Sequence, residues 1–297
     1  MNIIVTGSLG NISKPLTQQL VEKGHTVTVV SSSPEKQAAI EALGATAAIG
    51  SLADASFLEK TFAGADAVYC MTPPNYATQE TPVEYYTRIA NSYAQALGKA
   101  GVKRAVYLSS FGAHLDRGTG MILGSHHAEK ILNGVPGLTV THIRPTSFYY
   151  NLYNFAGMIR DLGFIAANYG GDDKVLWVSP SDIADTVAEE LLRTGNAPKV
   201  RYLTSDERTC NEVAAILGKA IGKPDLTWKV IPGTVVREQL DTHGVPAATA
   251  AALVELYDAI HSGILADDFY QNPPATNGKV KMEDFATEFA AVFAKSN

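Results

Sequence analysis

Small residues near the amino terminus have the spacing of a phosphate-binding turn. The run Thr6-Gly7-Ser8-Leu9-Gly10-Asn11-Ile12-Ser13 follows a short β-branched segment and precedes a stretch of helical period. Glycines at positions 7 and 10 allow a tight turn that brings backbone N–H groups to a pyrophosphate at the positive end of a helix. Ser13 replaces a third glycine and is small enough for helix–strand packing. The predicted dinucleotide-binding residues of this turn are Gly7, Ser8, Leu9, Gly10, Asn11 and Ile12.

The end of the second predicted strand indicates which dinucleotide would bind. An NAD site usually carries Asp or Glu there, about twenty residues after the glycines, to accept hydrogen bonds from the ribose 2′-hydroxyl. This chain instead reads Ser31-Ser32-Ser33-Pro34-Glu35-Lys36, with no acid at the strand end. Ser31, Ser32, Ser33 and Lys36 are therefore predicted to hold a 2′-phosphate, so that NADP(H) is preferred over NAD(H). Ser33 is also expected to cap a helix that begins at Pro34.

The elements around these residues alternate between β-branched runs and segments of helical period. This alternation is typical of a parallel sheet that is covered by helices on both faces. We expect an α/β protein with a doubly wound parallel Rossmann sheet and a smaller C-terminal α/β lobe. Residues 1–152 are predicted to form the dinucleotide-binding domain, a strand and helix near 174–195 to return to it, and residues 196–297 to form the smaller substrate lobe. The predicted strands are 2–6, 25–31, 46–49, 67–72, 104–109, 138–143, 175–178 and 200–203, and the predicted helices are 13–23, 34–43, 55–62, 83–100, 122–133, one after residue 179, 210–221, 246–261 and 282–295.

The composition excludes several classes of protein. The chain has 297 residues, of which 46% are hydrophobic and 18% charged, which is enough apolar content for a sizeable core and excludes a disordered chain. A formal net charge of −6, without a basic cluster, argues against binding to nucleic acid or to a membrane surface. Cys70 and Cys210 offer neither a disulfide framework nor a zinc spacing. We expect a cytoplasmic protein without a signal peptide, a transmembrane segment or a bound metal.

Taken together, these motifs resemble the NmrA-like branch of the atypical short-chain dehydrogenase/reductases over nearly the whole chain. The resemblance adds Val68-Tyr69-Cys70-Met71-Thr72-Pro73-Pro74, Gly101-Val102-Lys103-Arg104, Arg144-Pro145 with Asn151, and Ile183-Ala184-Asp185 to the glycine turn. It implies that Thr72, Pro73, Pro74 and Pro145 lie along the cofactor and that Lys130 reaches the nicotinamide ribose. The family often has Asp after the third strand, near the adenine, where this chain has Ser51 and Leu52.

Catalysis in the main short-chain dehydrogenases uses a Tyr-x-x-x-Lys pair, which this chain lacks, because no tyrosine is followed by lysine four positions later. The position four residues before Lys130 is His126. His126 could therefore donate the proton that tyrosine usually supplies, or it could be a polar residue on a partly exposed helix of a protein that has lost this catalysis. Ser109 and Ser110 occupy the place of the family's catalytic-loop serine, where Ser109 is expected at the cofactor and Ser110 in catalysis. They could instead be ordinary hydroxyls at a strand end.

Three regions are expected to surround one crevice beyond the strand ends, namely 72–76, 109–114 and 145–151. The aromatic residues Phe148, Tyr149, Tyr150 and Tyr153 either line this crevice or belong to the core. The function predicted from these residues is an NADP(H)-dependent oxidoreductase that reduces a small carbonyl or quinone-like acceptor. The alternative is a non-catalytic NADP(H) sensor that acts through a protein partner. A homodimer is possible in either case, and a sugar-nucleotide epimerase is a distant third because it would need the missing tyrosine.

Overall fold

A computed structural model describes residues 1–75 and 78–295 of the chain. Seven of the described strands form a central sheet in which every neighbouring pair is parallel, in the order β10-β6-β5-β4-β1-β2-β3. These strands are β1 (Asn2–Val5), β2 (Thr26–Ser31), β3 (Thr46–Ile49), β4 (Ala67–Met71), β5 (Arg104–Leu108), β6 (Thr139–Pro145) and β10 (Val200–Leu203). The predicted doubly wound Rossmann sheet is thus confirmed.

Alternating side chains of this sheet enter two different cores. Ile3 and Val5 face one core with the helices at Ser13–Glu22 and Pro180–Leu191, whereas Ile4 faces a second core on the opposite side of the sheet. Because a parallel sheet is buried on both faces, its strands are apolar at consecutive positions. The helices of the first half are α1 (Ser13–Glu22), α2 (Gln37–Glu41), α3 (Ala55–Phe62), α4 (Pro82–Lys99) and α5 (Leu123–Asn133).

The second half of the chain adds two smaller sheets and more helices. β7 (Ser147–Phe148), β9 (Lys174–Val178) and β11 (Asp206–Thr209) form one sheet, and β8 (Ile165–Ala167) pairs with β12 (Trp228–Val230). The helices are α6 (Ala156–Leu162), α7 (Pro180–Leu191), α8 (Cys210–Ala220), α9 (Gly233–Thr242), α10 (Ala247–His261), α11 (Asp267–Gln271) and α12 (Met282–Lys295). Short 3-10 segments occur at Pro34–Lys36, Gly120–Ile122, Tyr149–Phe155 and Ile264–Ala266. None of the described helices has the length and apolar character needed to span a membrane.

The connections between the two halves differ from the expectation in two details. The strand expected to return to the first domain, β9, lies in the separate sheet with β7 and β11, although the helix after it, α7, does pack on the central sheet. Conversely β10, expected in the C-terminal lobe, pairs in parallel with β6 and ends the central sheet. The chain therefore crosses between the two parts more often than a boundary near residue 196 implies, and the division into domains stays a prediction.

Candidate functional site

The carboxyl edge of the central sheet brings most of the predicted site residues together. Strands that run in parallel end at the same edge, so the residues that follow β1 to β6 are neighbours there. The residues at this edge are Gly7–Ile12, Ser31–Ser33, Ser51–Leu52, Thr72–Pro74, Ser109–Ser110 and Pro145. Tyr76, which was expected in the same crevice, lies outside the described residues.

The glycine turn after β1 has a backbone conformation that few side chains allow. Gly7 has φ +90°, and Ser8, with φ +55°, is the one non-glycine residue with positive φ in the described chain. A Cβ on Gly7 would lie 2.7 Å from Ser13 Oγ and 3.0 Å from the side chain of Met71. Ser13 Oγ donates to the Thr6 carbonyl at 2.8 Å and is buried. Ser13 therefore closes the turn on the strand, which explains why a serine can replace the third glycine.

The start of α1 suits a negatively charged group. No side chain caps this helix, and its first turn contains no acidic residue. Because the first N–H groups of a helix have no partner within the helix and carry partial positive charge, they favour an anion. Ile12 is buried with its side chain in the core, so it can offer only its backbone to a ligand. These features fit a pyrophosphate above residues 7–12.

A chain of hydroxyl groups joins the glycine turn to the end of β2. Ser8 Oγ donates to Ser31 Oγ at 2.9 Å, and Ser31 Oγ accepts from the Ser33 backbone N–H at 3.2 Å. The expected capping by Ser33 is wrong, because residues 34–36 form a 3-10 segment and no side chain caps it. The Ser33 hydroxyl instead donates to the Glu35 carboxylate, and this hydrogen bond lowers the pKa of Glu35. Lys36 is exposed.

The ends of β2 and β3 are held together by the backbone. The N–H of Gly50 donates to the Ser31 carbonyl at 2.9 Å, which places Ser51 next to the serine cluster. Ser51 is exposed, and its hydroxyl accepts a hydrogen bond from the Ala53 N–H at 3.2 Å. Leu52 is half-buried against the second core. Both residues thus follow β3 at the carboxyl edge of the sheet, near the end of β2.

The end of β4 is tied to the glycine turn by buried hydroxyl groups. The Met71 N–H donates to Thr6 Oγ1 at 3.0 Å, and the Tyr93 hydroxyl donates to the Met71 carbonyl at 2.7 Å. Thr72 Oγ1 lies 3.4 Å from the Tyr107 hydroxyl and is buried, whereas Pro74 is exposed. Pro73 and Pro74 therefore follow a strand whose end is held in place by these hydrogen bonds.

A buried ion pair lies below the end of β5. Arg144 on β6 donates from Nε to Glu129 Oε1 at 2.9 Å and from Nη2 to Glu129 Oε2 at 2.7 Å. Ser109 Oγ donates to the same Glu129 Oε1 at 2.5 Å. Burial alone would lower the pKa of Arg144, but the hydrogen bonds and charge of Glu129 outweigh it and raise this pKa. The three side chains form one buried charged unit.

This unit extends to the C-terminal helices through Arg144. The Nη1 group of Arg144 donates to the Tyr202 hydroxyl at 3.0 Å and lies 3.3 Å from Asp268 Oδ2. The Tyr202 hydroxyl donates to Asp268 in turn, while burial and this carboxylate raise the pKa of Tyr202. A continuous chain of polar contacts thus links Ser109 with α11.

His126 lies one helical turn before Glu129 on α5 and is 8% exposed. Its Nδ1 lies 2.9 Å from the Ala113 carbonyl oxygen, and since a carbonyl only accepts, Nδ1 carries the proton. Nε2 is shielded from solvent and has no hydrogen-bond partner among the described residues. In the neutral ring this nitrogen therefore holds an unused lone pair.

The other two predicted catalytic residues are more open. Lys130 is exposed and shares a helix face with His126 because four residues separate them. Ser110 is half-buried, and its hydroxyl donates to the Phe111 carbonyl at 3.1 Å. Pro145 ends β6 in a buried position, where its carbonyl accepts from the Phe111 N–H at 3.0 Å. The loop after β5 is thereby held against the end of β6.

Two of the aromatic residues belong to the core of the second half. Tyr149 stacks between Trp177 and Phe285, and Tyr153 stacks on Phe289. Packing in this core therefore accounts for the positions of Tyr149 and Tyr153.

A separate cavity of about 650 Å³ lies beside β10, α7 and residues 272–279, with Arg144 and Asp268 in its wall. Within the described chain, no cluster of three or more His, Cys, Asp or Glu side chains could hold a metal ion.

Sequence reasoning missed Glu129 and Asp268 as parts of the site. The partner of Glu129, Arg144, follows fifteen residues later and lies on another element. This separation is not a sequence spacing from which an ion pair can be predicted. The available signal was a glutamate between the apolar residues Ala128 and Ile131 on a helix that must pack on the sheet. A charge at such a position needs a buried partner.

Comparisons with known proteins identify the family and the fold of this chain. The family described as the NmrA-like family matches residues 1–264. A (4-alkanoyl-5-oxo-2,5-dihydrofuran-3-yl)methyl phosphate reductase of Streptomyces griseus is 26% identical over 223 residues, which cover 75% of this chain and 74% of the relative. Two solved structures share the fold over 97% of this chain and 99% of theirs. They are the triphenylmethane reductase of Citrobacter sp. with NADP(H), at TM-score 0.77 and 21% identity, and an NADPH-dependent quinone oxidoreductase of Escherichia coli with NADPH, at TM-score 0.75 and 20% identity.

Proposed function

Because the chain belongs to the NmrA-like family, we propose that it is an NADP(H)-dependent oxidoreductase that reduces a small carbonyl or quinone-like acceptor. The observation that carries this proposal is the hydroxyl chain from Ser8 to Ser31, at the strand end where an NAD site would have an acid. A 2′-phosphate can accept hydrogen bonds from hydroxyl groups there, whereas a carboxylate would repel it. The similar reductases from Streptomyces griseus, Citrobacter sp. and Escherichia coli support this assignment.

The bound dinucleotide is proposed to lie across the carboxyl edge of the sheet. Its pyrophosphate binds the backbone of residues 7–12 at the start of α1, where no side chain competes for the N–H groups. The adenosine half lies over β2 and β3, with Ser31, Ser32, Ser33 and Lys36 around the 2′-phosphate and Ser51 and Leu52 at the adenine. The nicotinamide half lies over β4 to β6, against Thr72, Pro73, Pro74, Ser109, Lys130 and Pro145.

Reduction of the acceptor requires a hydride and a proton. The cofactor, when bound, supplies the hydride. His126 is proposed to supply the proton from Nε2, because its Nδ1–H is already bonded to the Ala113 carbonyl. Since Nε2 is shielded from solvent, this step requires a movement that opens Nε2 to the acceptor. Ser110 contacts the acceptor, and Lys130 holds the ribose. A quinone needs less help from an acid than a carbonyl does, because its reduction forms a stabilised phenolate, which suits a site without tyrosine.

A second candidate is a non-catalytic NADP(H) sensor that acts through a protein partner. Two observations favour this candidate. The Tyr-x-x-x-Lys pair is missing, and the hydroxyl groups of Ser109 and Ser110 both donate to groups within the protein instead of to a substrate. Such a protein would bind the cofactor in the same way but reduce no acceptor. The two candidates therefore share the binding site and differ in turnover.

Turnover distinguishes the candidates. Oxidation of NADPH should be followed by its absorbance with a panel of quinones and aldehydes, for the wild type and for His126→Ala and His127→Ala. His127 is a matched control because it is adjacent on α5 and makes an edge contact with the His126 ring. The oxidoreductase assignment predicts turnover that falls at least tenfold in His126→Ala and little in His127→Ala. Tight NADPH binding without turnover on any acceptor would contradict it and favour the sensor.

A further inference from the structure

The hydroxyl group of Ser109 already donates its hydrogen bond to a group within the protein. Ser109 Oγ lies 2.5 Å from Glu129 Oε1, and Glu129 makes a two-point ion pair with Arg144. A carboxylate paired with a guanidinium only accepts hydrogen bonds, so the serine must donate. Ser109 is 6% exposed and Glu129 is equally buried, which leaves water little chance to replace this contact. Toward any other group, the Ser109 oxygen is a hydrogen-bond acceptor.

Ser109 follows β5, which lies on the opposite side of β1 from β2 and β3. A dinucleotide whose pyrophosphate sits over the β1 turn and whose adenosine lies over β2 and β3 places its nicotinamide on the β4 and β5 side. The carboxamide of the nicotinamide offers two N–H donors. An acceptor fixed at the end of β5 is complementary to such a donor.

We propose that Ser109 accepts a hydrogen bond from the carboxamide N–H of the nicotinamide, and that Glu129 is the positioning residue that gives Ser109 this polarity. The inference rests on the proposed function, because it requires the nicotinamide cofactor in the crevice. It assigns Ser109 to the cofactor and not to the acceptor carbonyl, which needs a donor. Arg144 keeps Glu129 in its acceptor state by occupying both carboxylate oxygens.

An analogue of the cofactor tests, without any mutation, whether the Ser109 oxygen accepts a hydrogen bond from the carboxamide. In the reduced acetylpyridine analogue of NADPH, a methyl ketone replaces the carboxamide, so the carbonyl oxygen is kept and the N–H donors are lost. Calorimetric titration should give a Kd about tenfold weaker for the analogue than for NADPH, since a buried acceptor is left without a partner. Equal Kd values for the two molecules would overturn the proposal.

Variants connect the discrimination to the two residues. Ser109→Ala removes the acceptor and should bring the two Kd values within about twofold of each other, whereas Ser262→Ala, at a serine that follows α10 and donates to the Ala259 carbonyl, should keep the tenfold difference. Glu129→Gln can donate to Ser109 and so releases its proton, which should reduce the discrimination as well. If Ser109→Ala keeps the tenfold preference, the proposal is overturned even if Glu129→Gln fails to fold.

The failure of this inference can be told from the failure of the proposed function. Tight binding of NADPH with no preference over the analogue overturns only the role of Ser109. A wild-type protein that binds neither molecule overturns both.

Discussion

Ser8 Oγ donates to Ser31 Oγ at 2.9 Å and so joins the glycine turn to the end of β2. This contact connects the two places where a dinucleotide carries phosphate, the pyrophosphate over the turn and the 2′-position over β2. Ser8 holds this position with φ +55°, a conformation that non-glycine residues adopt only when the surroundings require it. The unusual backbone conformation of Ser8 therefore occurs at the place where phosphate contacts are predicted.

An acid at the end of β2 should reverse the cofactor preference. In Ser31→Asp, the carboxylate repels a 2′-phosphate and accepts hydrogen bonds from a ribose 2′-hydroxyl, so the NADPH Kd should rise about tenfold or more and the NADH Kd should fall. Fluorescence titration with both cofactors measures this. Thr287→Asp, which adds the same charge at an exposed site on α12, is the control and should change neither Kd. A Ser31→Asp protein with unchanged preference would show that the 2′-phosphate lies elsewhere.

The exposed charges beside Ser33 should tune the same affinity in opposite directions. Lys36→Gln removes an attraction for the 2′-phosphate and should weaken NADPH binding about threefold, whereas Glu35→Gln removes a repulsion and should strengthen it by a similar factor. Both effects should shrink at high salt, because exposed charges are screened. NADH, which lacks the phosphate, serves as the internal control, and equal changes for the two cofactors would argue against this assignment.

The buried ion pair between Glu129 and Arg144 should matter for stability far more than an exposed one. Glu129→Ala leaves the guanidinium buried and without its main partner, so the free energy of unfolding should fall by about 3–5 kcal/mol. Glu80→Ala removes the partner of Arg88 in a pair whose side chains are 44% and 33% exposed, and should cost about 1 kcal/mol or less. Urea unfolding of both variants measures the difference, and similar losses would contradict the importance of burial.

His142 should make the protein less stable in mild acid. Its ring is buried, and burial lowers its pKa from 6.5 to about 4. Between these two pH values the unfolded chain binds a proton that the folded chain does not, so stability is lost as the pH falls. The pKa difference corresponds to about 3 kcal/mol by pH 4.

Urea unfolding at several pH values for the wild type and His142→Gln isolates this contribution. Glutamine keeps a donor for Asn133, which His142 Nε2 contacts at 3.0 Å. The variant should show a shallower loss of stability below pH 6.5. A pH dependence identical to that of the wild type would exclude His142 as its source.

Local pattern was enough to predict the central sheet. The six predicted strands of the first half appear with ends that differ by at most two residues, because buried parallel strands are short apolar runs between turn residues. The second half was predicted less well. β8 and β12 are three residues long, and their pairing joins residues about sixty positions apart, so no local period reveals it. Helices α6, α9 and α11 were missed for a similar reason, since short helices are stabilised by packing more than by their own sequence.

The candidate site likewise has parts that local sequence predicts and parts that depend on long-range packing. The positions of the glycine turn and of the serines at the end of β2 could be predicted, because they depend on local backbone and on the end of one strand. Their contacts with phosphate stay a prediction. The Glu129–Arg144 pair could not be predicted, since it depends on how α5 lies against β6. The same pair holds the hydroxyl proton of Ser109 on Glu129, a contact that sequence reasoning, which expected Ser109 at the cofactor, did not predict.

The dissociation constants of NADPH and NADH for the wild-type protein test the central claim most directly. Titration of both under the same conditions should show NADPH binding at least tenfold more tightly, because the end of β2 offers hydroxyl groups and Lys36 in place of an acid. Tighter binding of NADH, or binding of neither, would contradict the assignment of this chain as an NADP(H)-dependent protein.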